Sequence, residues 1–129
     1  MRSLARECVF KYIFSKLFNP SDEGLFAVLC NTLGAEDKDF AKSLLSCIEK
    51  DEQKYLTAIE NLAVGYKLDR IHVADKCVIM LGMAELDNFK NTPKAVVINE
   101  SVNLVAKYST ENSANFVNGI LAEYAKEML

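Results

Sequence analysis

A chain of 129 residues with a net charge of −3, half hydrophobic and 26% charged, has the balance of one globular domain spanning 1–129. Two prolines and five glycines are too few for the turns of an all-β fold, and no apolar run approaches the roughly 20 residues that cross a bilayer. Cys8, Cys30, Cys47 and Cys77 form no CxxC pair and there is one histidine, which excludes the usual zinc sites and leads us to expect reduced thiols in a cytoplasmic protein without metal or cofactor.

In chain order, Ser3 to Leu17 carries an apolar stripe of Ala5, Cys8, Val9, Tyr12, Ile13 and Leu17 at helical spacing. Arg2, Arg6, Glu7 and Lys11 interrupt any signal-peptide core, and Asn19-Pro20 ends the helix. Ser21 or Asp22 is a cap for a second helix holding Leu25, Phe26, Val28, Leu29 and Leu33, with Gly34 as its stop. A third helix opens at Asp37 with Phe40, Leu44, Leu45 and Ile48; it either runs on through Tyr55, Leu56 and Ile59 or breaks near Asp51. After a turn at Gly65 and a short helical segment at Lys67 to Ile71, Val73 to Phe89 reads as a helix. Pro93 suits the first turn of the next, whose ridge is Val97, Ser101, Leu104 and Tyr108, with Ile98, Val102 and Val105 beside it. Asn112 caps a last helix from Ser113 to Met128 that turns Val117, Leu121, Tyr124 and Met128 inward. The fold class is therefore all-α, with about seven helices.

Catalysis finds no footing in these residues. His72 is the lone histidine and reads as a surface or helix-start residue; no nucleophile motif and no phosphate-cradling glycine loop occurs. Charge, however, is uneven. Residues 1–20 hold four basic side chains against one acid, a local +3 that leaves −6 for the remainder. Arg2, Arg6, Phe10 and Phe14 fall four apart on one slowly rotating ridge. Two readings of that ridge stay open: guanidinium groups and rings that grip a single nucleic-acid strand, or core rings beneath a solvated basic face. Asp75 in the first turn of its helix complements the dipole. Gly119, inside a helix where glycine costs about 1 kcal/mol, reads as a close helix approach, and Asn99 and Glu100 as a fastening between the two C-terminal helices.

The run from Pro93 to Leu121, with Pro93, Ile98, Asn99, Glu100, Phe116, Val117, Asn118 and Gly119, closely resembles the C-terminal signature of the NusB family of transcription antitermination factors. Ala5-Arg6-Glu7-Cys8 is similar to that family's first helix, and Asp75-Lys76 with Glu85-Leu86 to its central one. The resemblance implies two small helical bundles packed across each other and a non-enzymatic protein. Its implied partners are boxA-like single-stranded RNA, the ribosomal protein NusE and, indirectly, the RNA polymerase elongation complex. By position it assigns Arg2, Arg6, Phe14, Asn112 and Phe116 to RNA, and Asp75 and Lys76 to the partner protein. Ser3 and Leu4 stand where many members have further arginines, and Met80 where many have one. Family members occur as monomers and as homodimers that hide the RNA face. Two alternatives remain: a protein-interaction module on this fold with little RNA affinity, and an accessory RNA-binding domain of a ribosomal RNA cytosine methyltransferase.

Overall fold

The structure, a computed structural model, describes residues 2–17, 24–65 and 67–127, and every regular element within them is helical. The order is α1 (Arg2–Lys16), α2 (Leu25–Leu29), α3 (Ala35–Lys50), α4 (Glu52–Leu62), α5 (Val73–Asn88), α6 (Lys94–Tyr108) and α7 (Glu111–Glu127), with a 3-10 turn at Leu68–Arg70 before α5. The expected all-α class is what the chain adopts.

The central element is α5. Every residue from Cys77 to Leu86 is buried, and a helix that is apolar on all sides must be covered on all sides. α1, α3 and α4 pack on it, and so do α6 and α7; α1 also packs on α3, and α6 on α7. Two helical groups thus share one axis. Val97, Ser101, Leu104 and Val105 of α6 and Val117, Leu121 and Tyr124 of α7 face inward as their spacing predicts.

Several local expectations shift. Gly24 rather than a polar cap opens α2, in the left-handed conformation at φ 88° that glycine adopts without strain. The proposed caps Ser21 and Asp22, the Asn19-Pro20 stop and Met128 lie outside the described residues. α2 is only five residues long; Val28 is exposed, and Leu33 is buried from the connection beyond the helix. Gly34 is the residue before α3, not the end of α2. The open question near Asp51 resolves as a break: its N–H donates back to Cys47 O and its carbonyl accepts from Tyr55 N–H, so it ends α3 and starts α4. Thr110, not Asn112, caps α7, because Thr110 Oγ1 accepts the Ser113 backbone N–H at 3.2 Å.

Gly119 is exposed and its missing Cβ would meet nothing within 4 Å. The close approach is at Gly82, where a Cβ would lie 2.8 Å from Leu121 Cδ1 and 3.0 Å from Ser101 Oγ. Glu100 fastens α6 to α1 rather than to α7: it accepts from Ser3 Oγ at 2.8 Å and lies 3.7 Å from Arg6 Nη1, while Asn99 is exposed.

Further along the same seam, Glu7 accepts hydrogen bonds from Lys107 Nζ, at 2.7 Å, and from the Tyr108 hydroxyl. Partial burial pushes the Glu7 carboxyl up, but those two bonds and the Lys107 charge outweigh it and hold its pKa below the ordinary 4.5. Burial, and then Glu7 itself, push the Tyr108 hydroxyl up to about 12. A carboxyl depressed in the folded chain stabilises fully above its unfolded pKa and loses that contribution as pH falls through the folded value. Wild type should therefore exceed Glu7→Gln in stability above pH 4.5, with the gap closing at lower pH; urea midpoints measured across that range check it.

Candidate nucleic-acid interface

α1 runs antiparallel to α5, since Arg6 meets Glu85 near the end of α5 while Phe14 lines a cleft with Ala74 at its start. Arg2 and Phe14 are consequently about 18 Å apart along the axis at 1.5 Å per residue. The side chains expected to form one RNA site are divided between the two ends of the molecule.

At the first end, Arg6 is not available to a strand. Its Nε donates to Glu85 Oε1 at 2.7 Å and its Nη2 to Glu85 Oε2 at 2.6 Å, with the arginine 5% and the glutamate 0% exposed. This is a bidentate pair deep in the core, and the expectation of a phosphate contact at Arg6 is corrected accordingly. A carboxylate in the buried stretch of α5 requires such a partner, because an unpaired buried charge is strongly disfavoured. Arg2 is exposed, but its guanidinium lies 4.4 Å from the centre of the Phe40 ring and donates to Thr92 Oγ1 at 3.3 Å. It borders a depression with Glu36, Asp37 and Asp39, a setting that repels phosphate. The ring expectations divide too: Phe10 is buried, its ring tilted against that of Tyr108 with centres 5.0 Å apart, while Phe14 is half-buried.

At the opposite end two clefts adjoin. One, of about 270 Å³, is lined by Phe10, Lys11, Phe14, Ser15, Ala74 and Tyr108. The other, of about 290 Å³, is lined by Arg70, Ile71, His72, Asp75, Thr110, Asn112, Ser113 and Phe116. Consecutive residues in the first turn of α5 line them, Ala74 the one and Asp75 the other; the end of α6 contributes Tyr108 to the first, and the α6–α7 connection contributes Thr110 to the second. Asn112 is exposed and Phe116 half-buried against the core, so Phe14, Asn112 and Phe116 do lie on one end. The N-termini of α5 and α7 both lie there, with their positive dipole ends. Exposed Arg70 and His72 precede α5, and exposed Lys11 borders the Phe14 cleft. The two cations, Arg70 and Lys11, are not singled out by sequence, since Arg70 sits in a polar turn and Lys11 among apolar neighbours.

Asp75 is buried, not displayed to a partner. Its Oδ2 accepts from Ser113 Oγ at 2.9 Å and lies 3.9 Å from His72 Nδ1, tying the start of α5 to the start of α7. The expected protein-contact role of Asp75 is thus corrected to an internal latch. Lys76 points elsewhere, into a shallow depression with Glu60, Lys67, Leu68 and Asp69. His72 stands exposed at the N-cap of α5, the helix-start position its sequence context suggests. Among the described residues no cluster of His, Cys, Asp and Glu could hold a metal ion, and no helix is long and apolar enough to cross a membrane.

Comparison with known proteins agrees with this architecture. A transcription antitermination protein NusB from Methylacidiphilum infernorum is 39% identical over 95 residues, 74% of this chain and 66% of that protein. One from Natranaerobius thermophilus is 29% identical over 133 aligned positions, covering 98% of this chain and 96% of its own length. Among solved structures, NusB of T. maritima superposes with a TM-score of 0.92 at 30% identity, over 98% of this chain and 92% of that one. The NusB chain in a crystal structure of antitermination factors NusB and NusE with double-stranded RNA superposes at 0.86 with 26% identity, covering 98% and 96%. The profile of the NusB family matches residues 2–126, and with the helical order, the central buried α5 and the C-terminal signature in agreement, this chain belongs to the NusB family of antitermination factors.

Proposed function

We propose that this protein binds boxA-like single-stranded RNA together with the ribosomal protein NusE and thereby helps RNA polymerase elongate through ribosomal RNA operons. The observation that carries the reading is the pair of adjoining clefts at the starts of α5 and α7, with Phe14 and Phe116 as rings, Lys11 and Arg70 as cations and the His72 imidazole beside them. A solved complex of NusB and NusE with double-stranded RNA, on the same fold, supports a pairing with NusE and an affinity for RNA. Recognition here is physical, without a chemical step: rings stack on unpaired bases, and cations with helix N-termini hold phosphates. NusE supplies the rest of the grip and meets an acidic body, a charge complement for a basic ribosomal protein.

The test is an anisotropy titration of boxA RNA, with NusE present, at two salt concentrations. Phe116→Ala should weaken binding by about 1–3 kcal/mol, the worth of one base stacked on a ring. Arg70→Ala should weaken it at low salt and lower the salt slope by about 1, the signature of one lost phosphate contact. Wild-type affinity and slope in both variants would overturn the assignment. The alternative of a protein-interaction module with little RNA affinity draws support from the burial of Arg6, which removes one of the few N-terminal cations from the surface. It would be favoured by NusE binding in the absence of any RNA binding.

A further inference from the structure

We infer that Cys8 and Cys30 form a reversible disulfide site that joins α1 to the end of α2. Cys8 Sγ donates to the Leu29 carbonyl oxygen at 3.1 Å. That carbonyl carbon is bonded to the Cys30 nitrogen, so standard bond lengths leave Cys8 Sγ within about 6 Å of Cys30 Cα. Each thiol feels the other: the neighbouring sulfur is among the causes that shift both of them. Both are free in this structure, on elements that pack directly together. The bond to Leu29 places the Cys8 sulfur within side-chain reach of Cys30, and the inferred bond closes the remaining gap to the roughly 2.05 Å of a disulfide. Cys47 on α3 and Cys77 on α5 are free as well and serve as internal controls.

The pair is slow by design of its surroundings. Burial pushes both thiols up, so little thiolate is present at neutral pH. Cys8 is half-buried and Cys30 buried, which makes Cys8 the attacking sulfur. With hydrogen peroxide as oxidant, the Cys8 thiolate attacks one oxygen, the O–O bond breaks, and hydroxide leaves and takes a proton to become water. The resulting sulfenic acid is attacked by the Cys30 thiolate; the S–S bond forms, the S–O bond breaks, and a second water leaves. Two electrons pass from the sulfur pair to the peroxide, and α2 becomes covalently tethered to the helix that carries Lys11 and Phe14.

The full chain is treated with hydrogen peroxide and then alkylated with a maleimide under denaturing conditions. Two of the four thiols should be protected, a peptide joining Cys8 to Cys30 should appear in non-reducing digests, and dithiothreitol should restore all four. Cys30→Ser should leave Cys8 as a sulfenic acid that dimedone traps. Full alkylation after oxidation, a linkage through Cys47 or Cys77, or dimers linked between chains in place of the internal bond would each overturn the inference.

Discussion

Arg6→Ala should destabilise the chain by about 3–5 kcal/mol, the cost of removing one partner from a buried ion pair. The size follows from where the charge is left. Glu85 is fully buried on α5, and Arg6 supplies both of its side-chain hydrogen bonds, at 2.7 and 2.6 Å. Water cannot take the place of the guanidinium without opening the packing of α1 on α5. Arg6 also contributes a face to Phe40, at 5.5 Å from the ring centre, so apolar contact is lost with the charge. A urea melt of the variant should show a lower midpoint. The double substitution Arg6→Met with Glu85→Leu should recover much of the loss, because no orphaned carboxylate remains. A single variant as stable as wild type would show that the pair does not hold α1 to the core. RNA affinity measured on Arg6→Ala reports unfolding first, so it is the wrong probe of strand binding.

Leu121→Ala should cost about 2–5 kcal/mol through the cavity it leaves. Leu121 is 0% exposed, and both of its methyl carbons sit against Gly82, where an added Cβ would lie 2.8 and 3.0 Å from them. Gly82→Ala alone should destabilise as well, by about 1–3 kcal/mol, through overpacking. Ser101 Oγ, also 3.0 Å from that Cβ, is held by its bond to Val97 O and cannot move freely. Because one substitution opens the space that the other fills, the double variant Gly82→Ala with Leu121→Ala should lose less than the sum of the two. Thermal melts of all three decide this; strict additivity would mean that α5 and α7 do not meet at Gly82.

Helix content and the inward faces of α6 and α7 were legible because each depends on local spacing. Arg6 was not, because its partner lies 79 residues away and its spacing with Arg2 and Phe14 fits a surface ridge equally well. A signal did exist: Glu85 stands in the apolar run VIMLGMAEL, and a carboxylate there calls for a cation from elsewhere in the chain. The same run held the close-approach glycine, since Gly82 is flanked by apolar residues whereas Gly119 follows the exposed Asn118. Thr110 and Asn112 are both good N-cap residues, and which of them starts α7 was settled by the hydrogen bond to Ser113. Asp75 was read correctly as a first-turn acid, yet its burial depends on Ser113, a residue of another helix. The C-terminal half of the proposed interface, Asn112 and Phe116, came from the family resemblance; the placing of Lys11, Arg70 and His72 beside it came only from folding.

Ultraviolet crosslinking of boxA RNA to the chain with NusE present, read by mass spectrometry, tests most directly where the strand lies. Crosslinked peptides should carry Phe14, Tyr108 or Phe116, the rings at the starts of α5 and α7. Crosslinks confined to peptides carrying Phe40 or Phe89, beside Arg2, would place the strand at the opposite end and contradict the account.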